Sequence, residues 1–475
     1  MDGFDTNHRY GVDLRMFKKF KALFGAQDMT VGSPIKCLLM FSVPLLIGNL
    51  AQLLYSTVDS VIVGKYVGDE ALASIGVDTP LLLLFLVIFM AIGSGVMVMV
   101  SQYFGAKDYE NLERTVGNSI TLIAAASVVL TVGGILLTPW MLRVINTPPE
   151  TYEMAKIDLI ICFYGIAGDG FYNIMSGILR GMGESVFPLL VLILTTVLNI
   201  VLDLWFVIGL GMGIAGAAWA TSIAKTVSAI VCLIKVLSAK NVCNVKARHL
   251  KLDRDILGTI CRLGIPNGIA QGIMFLATIV IQSMINKMGF LVTASITAVL
   301  RVDGFAVIPS QTFGMSAATF TGQNVGAGRL DRVKKGAKQV FLMCLVTSLV
   351  MITAMLIFGK WMMGLFTDTK EVIDMGYGFI LTMLPGYLLM CIGQSFGGVI
   401  RGAGDSMGPM WIALVTNTVI RIPAMLLLVH FTRSEIYPAG NPKSSFIAIV
   451  IAMFINAVIT LIYYRKGRWK DKAIV

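Results

Sequence analysis

Long apolar runs separated by short polar segments occupy almost the whole chain. Twelve runs can be traced, near residues 36–62, 75–101, 114–138, 156–179, 187–208, 213–237, 256–283, 292–320, 335–358, 372–397, 408–430 and 445–464. A transmembrane α-helix needs about 20 consecutive, mostly apolar residues. The pattern therefore predicts an all-α integral membrane protein with about twelve transmembrane helices, six in each half of the chain.

The composition supports this prediction. Hydrophobic residues make up 56% of the 475 residues and charged residues only 14%, whereas a soluble domain carries about 25% charged residues. The net charge of +11 is explained by membrane orientation and by contact with anionic lipid. Nucleic-acid binding is the weaker explanation of this charge, and no nucleic-acid partner is expected.

One motif is written twice in the sequence. The string LRGMGES at 179–185 returns as IRGAGDS at 400–406, which is 221 residues later, and a proline follows at the same distance each time. Segments 105–108 and 326–329 have the same separation. Two six-helix bundles of this kind share one orientation and are related by a pseudo-twofold axis along the membrane normal. Such repeats are typical of carriers that have a substrate path between the two bundles.

Basic residues predict the orientation of the chain in the membrane. They crowd the N-terminus, the central linker, the segment after 328 and the C-terminus, and twelve spans place all four on one side. By the positive-inside rule that side is the cytoplasm, so we expect a multi-pass protein of the plasma membrane with both termini cytoplasmic. The expected division is a cytoplasmic tail at 1–35, a first lobe at 36–237, a linker at 238–255, a second lobe at 256–464 and a second cytoplasmic tail at 465–475.

A few charged side chains fall inside the predicted spans, where each costs about 3 kcal/mol on insertion scales. The first half carries four and the second half three, and an eighth, Asp78, is expected at the membrane interface. The seven are Asp59, Asp169, Asp203, Lys225, Arg301, Asp303 and Arg421.

Oxygen-bearing side chains of the first half are expected to form one group. Asn199 and Asp203 are spaced i, i+4 and share a helix face, and counting along the spans places them with Asp59 and Thr221 in the outer half of the membrane. Two carboxylates in a low-dielectric site hold a proton or share a cation. The group therefore predicts an H⁺ or Na⁺ site, with Asn173 somewhat deeper. The alternative is that Asn199 and Asp203 only bond helix to helix.

The second half lacks this acid pair, because the positions equivalent to Asp203 and Asp59 are Ala424 and Val280. The in-span charges of the second half, Arg301, Asp303 and Arg421, are interpreted as a buried ion-pair group or as a structural clasp. Lys225 either pairs with an acid or reaches for the membrane surface.

Several motifs together resemble the multidrug and toxic compound extrusion (MATE) transporters over roughly residues 30–465. They are Pro44 followed by STVDSVIVG at 56–64, the repeated Arg-Gly-x-Gly-Asp/Glu motif, the Asn199–Asp203 pair and GAAWAT at 216–221. The resemblance implies twelve helices in two lobes and an antiporter that exports drugs or other organic compounds, often cationic, in exchange for H⁺ or Na⁺.

The resemblance also implies roles for particular residues. Spans 7 and 10 carry no acid after Asp374, so the chain resembles the DinF-like branch, whose ion site lies in the first lobe. Mapped by motif, that site is Asp59, Asn199, Asp203 and Thr221, with Asn173 in the same network. The resemblance also implies that Gln52 and Tyr55 line the substrate cavity. Apart from the resemblance, we expect Asn173, Arg301 and Arg421 at the cavity as well. Pro44 and Pro266 are expected to kink their helices, and the family suggests a monomer.

Other functional classes find little support in the sequence. The fingerprint Gly-x-Gly-x-x-Gly at 211–216 follows a membrane span and not a strand, so it does not indicate a dinucleotide site. The three histidines show no metal-ligand spacing, and the seven cysteines are mostly small packing residues within spans. We expect no enzyme activity, no cofactor and no metal beyond a coupling Na⁺. The rival functions are a lipid-linked oligosaccharide flippase of the same architecture and a non-transporting membrane scaffold.

Overall fold

The computed structural model describes residues 25–475 except 146, 240–242, 287 and 436. Within the helices, the side chains of 53–61, 64, 69, 72 and 73 also lie outside the description. The described residues are helical and contain no strand. The six helices of the first lobe are α1 Pro34–Tyr66, α2 Asp69–Ala106, α3 Tyr109–Val144, α4 Pro149–Gly181, α5 Val186–Gly209 and α6 Gly213–Ser238.

The second lobe repeats this order after a linker that contains a short 3₁₀ turn, Ala247–Leu250. Its helices are α7 Arg254–Asn286, α8 Phe290–Gly326, α9 Leu330–Gly364, α10 Lys370–Gly402, α11 Met407–Phe431 and α12 Lys443–Lys466. Most helices are longer than the apolar runs that predicted them. Helix α2, for example, has 38 residues and measures about 57 Å, so it extends beyond a hydrocarbon core of about 30 Å.

Eleven of these helices, in the part of the chain that the structure describes, are long and apolar enough to cross a membrane. The twelfth, α4, carries more charge, yet it packs against α2, α3 and α6 inside the first lobe. The prediction of an all-α membrane protein with twelve helices in two bundles is therefore confirmed.

The backbone repeats along with the sequence. Three pairs of residues that adopt left-handed conformations are each 221 positions apart, and all lie in turns between helices. They are Gly68 and Gly289, Lys107 and Gly328, and Gly183 and Gly404. Because a left-handed turn fixes the direction in which the next helix starts, these pairs give the two lobes the same path through the membrane.

Two helices contain a π-helical turn that the sequence did not predict. It spans Leu204–Gly209 in α5 and Val415–Ile420 in α11. The first begins directly after Asp203, and the second ends directly before Arg421. Turns of this type are rare and are frequent at functional sites, so both residues stand where the helix geometry is irregular.

Gly404 offers a test of the repeated turns. Its φ is +97°, and a Cβ there would lie 2.4 Å from the carbonyl oxygen of Lys472. We expect Gly404→Ala to destabilise the protein by at least about 1–2 kcal/mol, the cost of a left-handed conformation for a residue with a side chain. Thermal denaturation in detergent, followed by size-exclusion chromatography, measures the loss.

The matched control is Gly258→Ala, because Gly258 lies within α7 and a Cβ added there would have no neighbouring atom within 4 Å. Alanine favours a helix over glycine at this position, so the melting temperature should stay the same or rise. Equal melting temperatures for the two variants would contradict the role assigned to the turn.

Candidate ion site and central cavity

A cavity of about 770 Å³ lies between the two lobes. Its wall comes from α1, α2, α4 and α5 of the first lobe and from α7, α8, α10, α11 and α12 of the second. Methionines such as Met90, Met274 and Met390 form part of the wall, together with the amides of Gln271 and Gln394. The position between paired bundles is the one expected for a substrate site in a carrier.

Three of the residues predicted to form the ion site lie together in the first lobe. Asn199 and Asp203 are fully buried on α5, and the Asn199 amide nitrogen is 3.3 Å from the Thr221 hydroxyl oxygen on α6. In the alternative amide orientation, Asn199 donates to an Asp203 carboxylate oxygen at 3.0 Å and accepts from the Thr221 backbone N–H at 3.2 Å. This second orientation satisfies both ends of the amide, so the network brings one carboxylate, one amide and one hydroxyl together.

The other residues predicted for the ion site and the cavity are not part of this contact in the described structure. The side chains of Asp59 and Tyr55 lie outside the described residues, although both positions fall within α1. Asn173 lies on the cavity wall and donates to the backbone oxygen of Asp169 at 2.8 Å. It makes no hydrogen bond to Asn199 or Asp203, so the described contacts do not place it in that network. Gln52 lines the cavity, as the resemblance implies.

Asp169 and Lys225 form an ion pair inside the first lobe. The Lys225 ammonium nitrogen lies 2.8 Å from a carboxylate oxygen of Asp169, which itself lines the cavity. Of the two sequence interpretations of Lys225, pairing with an acid is the one the structure shows. The pair joins α4 to α6 and neutralises the charge of Asp169 on the cavity wall.

The interpretation of the second-lobe charges as an ion-pair group is wrong. Asp303 instead accepts a hydrogen bond from the Tyr387 hydroxyl at 2.6 Å, and no ion pair joins Asp303 to Arg301 or Arg421 among the described residues. Arg421 does line the cavity, as expected. Arg301 is exposed and is absent from the cavity wall, because its side of α8 faces away from it.

Sequence reasoning missed two further groups. Asp78, near the start of the membrane span in α2, is fully buried and faces Asp158 of α4. Arg180 and Arg401, the arginines of the repeated motif, both line the cavity. The 221-residue repeat was the signal for the arginines, but only the packing of the lobes shows that they face a common space.

The described segments 25–32 and 468–475 meet at one end of the bundle, which we call the tail end. Two glutamines related by the repeat bridge the lobes there: Gln102 of α2 donates to the backbone oxygen of Gly402, and Gln323 of α8 donates to that of Gly181, both at 3.0 Å. Their side-chain oxygens accept from the backbone N–H groups of Ile474 and Met29, at 2.7 and 2.8 Å. Each terminal segment thus binds a helix of the opposite lobe.

Helices α2 and α8 approach each other at the tail end with glycines at their contact. A Cβ at Gly105 would lie 1.9 Å from the carbonyl oxygen of Gln323, and a Cβ at Gly326 would lie 2.0 Å from that of Gln102. No side chain fits at either position without moving the two lobes apart. Direct contact between backbones therefore closes the space between α2 and α8 at this end.

Two pseudo-symmetric six-helix lobes, a cavity between them and acids buried within the membrane define the class of secondary transporters. The comparisons with known proteins agree. The MatE family model matches residues 44–205 and 266–427, one match in each lobe. The chain belongs to the MatE family, the multidrug and toxic compound extrusion transporters, and it is a membrane transporter and not an enzyme.

Known relatives and solved structures cover nearly the whole chain. "Probable multidrug resistance protein YoeA" of Bacillus subtilis (strain 168) is 28% identical, over 92% of this chain and 94% of that protein. "Probable multidrug resistance protein YpnP" of the same strain is 27% identical, over 94% and 98%. A solved structure described as the outward-facing conformation of a MATE family transporter matches with a TM-score of 0.87 and 22% identity, over 93% of this chain and 97% of that one.

Proposed function

We propose that the protein is an antiporter that exports organic compounds across the plasma membrane in exchange for H⁺ or Na⁺. The observation that carries this proposal is the contact of Asn199, Asp203 and Thr221, because it places a fully buried carboxylate beside a neutral amide and a threonine. The names of the curated relatives support the export of drugs. The proposal extends to a monomer whose two termini lie in the cytoplasm.

The chemistry of the site favours a small, hard cation. Na⁺ is bound by oxygen ligands, and a carboxylate of this kind also takes up a proton, so the same group serves either ion. Asp203 ionised without a neighbouring cation would pay the cost of a charge in a low-dielectric site. Asp59 is the second acid that the family resemblance assigns to this site.

Coupling requires that the ion binds two conformations with different affinity. Asp203 lies on α5, and α5 packs against α1, which carries Pro44 on the cavity wall. Neutralising Asp203 changes the electrostatics at this helix contact, and the proline removes one backbone hydrogen bond of α1, which lets that helix bend. Ion uptake is thereby linked to the shape of the cavity and to release of the exported compound.

The size of the cavity separates drug export from the flippase alternative. Pockets for drug-sized ligands measure about 300–1,000 Å³, and this cavity of about 770 Å³ falls in that range. A lipid-linked oligosaccharide needs a larger space. The DinF-like arrangement is retained in the proposal, because spans 7 and 10 carry no acid after Asp374.

The orientation follows from the charges at the tail end. Residues 25–32, the repeated motif and the C-terminal segment meet there, and the flanking stretches at 329–338 and 465–472 are strongly basic. The positive-inside rule assigns such an end to the cytoplasm. The tail end then faces the cytoplasm.

Dye transport into everted membrane vesicles tests the proposed function. An acidic lumen and a Na⁺-loaded lumen are imposed separately, with a panel of anionic and cationic dyes outside the vesicles. Dye uptake that one of the two gradients drives, and that collapses when an ionophore removes that gradient, supports antiport. Uptake independent of both gradients, or driven only by ATP, would refute it.

A further inference from the structure

The cavity wall carries an excess of positive charge. Among the described residues that line it, the charged ones are Arg180, Arg401, Arg421 and Asp169. The carboxylate of Asp169 is already paired with Lys225 at 2.8 Å. Three guanidinium groups therefore face a space whose only described carboxylate is neutralised by another residue.

These arginines lack the partners that buried guanidinium groups normally have. In the described part of the chain, none of the three makes a hydrogen bond or an ion pair, and the Nε atoms of Arg180 and Arg421 are buried without an acceptor. A guanidinium group has five N–H donors and no way to neutralise itself. The missing acceptors have to come from water or from a bound molecule.

The acids of the repeated motif form their contacts with residues other than the arginines of that motif. Glu184, in the turn after α4, pairs with Lys235 at 3.4 Å, and Asp405 accepts hydrogen bonds from Tyr463 and from the backbone N–H of Gly408. Burial raises the pKa of the Glu184 carboxyl group, while the nearby Lys235 acts in the opposite direction. Neither acid forms an ion pair with the arginine four residues before it.

A purely structural role does not account for this arrangement. Arg180 and Arg401 occupy the last turns of α4 and α10, where a cation interacts favourably with the helix dipole by about 0.3–1 kcal/mol. The dipole supplies no hydrogen-bond acceptor to the guanidinium groups, and the buried Nε atoms of Arg180 and Arg421 have none among the described residues.

We propose that the transported substrate is an amphipathic organic anion, whose carboxylate, sulfonate or phosphate group binds Arg180 and Arg401 while its apolar part contacts the methionines of the wall. This inference rests on the proposed export function, because it takes the cavity to be the substrate path. An anionic substrate differs from the substrates that the family resemblance implies, which are often cationic. Since the two arginines come from different lobes, one anionic group bridges the lobes and Arg421 adds to the attraction.

Two xanthene dyes of similar shape and opposite charge test the substrate class. Fluorescein is an anion and rhodamine 123 a cation, and fluorescence anisotropy measures the binding of each to the purified protein in detergent without any ion gradient. We expect fluorescein to bind at least tenfold more tightly. Tighter or equal binding of rhodamine 123 would overturn the proposal.

Substitutions of the arginines test whether these residues bind fluorescein. We expect Arg180→Gln and Arg401→Gln each to weaken fluorescein binding about tenfold, the worth of one charge-assisted hydrogen bond, and to leave rhodamine 123 binding unchanged or stronger. Arg401→Lys retains the charge and should keep part of the affinity. The control is Arg262→Gln, an exposed cation of α7 outside the cavity wall. Unchanged fluorescein affinity in both glutamine variants would refute the assignment.

The binding assay separates this proposal from the proposed function. Because the assay has no gradient, failure of ion coupling leaves the dye preference intact. If a gradient drives export of rhodamine 123 alone, antiport holds and the anionic substrate class fails. Size-exclusion profiles of every variant, compared with the unmodified protein, ensure that lost binding reflects lost charge and not misfolding.

Discussion

Asp203→Asn should insert and fold normally yet lose ion-driven export, with the initial rate falling at least about tenfold. The amide keeps the shape of the side chain and its bond to Asn199, which accounts for normal folding. It removes the negative charge that a cation needs, and a loss of only about 1.4 kcal/mol in ion affinity already corresponds to tenfold weaker binding. Gradient-driven dye uptake into everted vesicles, normalised to protein amount, measures the effect.

The second lobe offers a matched control for this variant. Asp303 is also an acid within a membrane helix, but it accepts a hydrogen bond from Tyr387 and is absent from the cavity wall. An amide oxygen still accepts that bond, so Asp303→Asn should retain most of the export. Full export by Asp203→Asn, or equal losses in the two variants, would remove the special role of the first-lobe site.

The second large effect is expected at the tail end. In Gly105→Ala the new methyl group would lie 1.9 Å from the carbonyl oxygen of Gln323, so α2 and α8 cannot remain in contact. Overpacking of this kind costs about 1–3 kcal/mol or more. The two contacting helices belong to different lobes, so the lobes can separate without unfolding. We expect the tail end to open and export to fall at least about fivefold.

Cysteine labelling reports the opening directly. A cysteine placed at Ser185, which is buried on the cavity wall near the tail end, is treated with a membrane-impermeant maleimide after the seven native cysteines have been replaced. Labelling should be slow in the parent and fast with Gly105→Ala. Gly133→Ala is the control, because nothing lies within 4 Å of a Cβ at that position. Slow labelling together with full export in Gly105→Ala would contradict the closure at the tail end.

The sequence was sufficient for the fold and for the contact of Asn199, Asp203 and Thr221. Hydrophobic runs and the repeated motif predicted the twelve helices, because the membrane admits few other structures. The grouping of Asn199, Asp203 and Thr221 was also predicted, from an i, i+4 spacing and from depth counted along two adjacent spans. Both predictions depend only on spacing within one helix or between helices that follow each other in the chain. Such spacing can be counted directly in the sequence.

Contacts between distant segments could not be predicted in this way. Arg180 lies in the last turn of its helix, where a cation usually meets water, and only the docking of the two lobes turns it into a cavity residue. Arg301 was expected in the cavity because it is a charge within a span, but the sequence does not reveal which face of α8 points inward. Asp78 was placed near the end of its span by counting residues, but only the packing of α2 against α4 shows that its side chain is buried.

Cation binding to the purified protein tests the central claim most directly. Equilibrium binding of radioactive Na⁺ and proton uptake during acid titration are measured for the unmodified chain and for Asp203→Asn. We expect the unmodified protein to take up more of one of these two cations than the variant, by about one per molecule, and the exported compound to release it. Identical uptake of both cations by the two proteins would show that the first-lobe carboxylate does not bind the coupling ion.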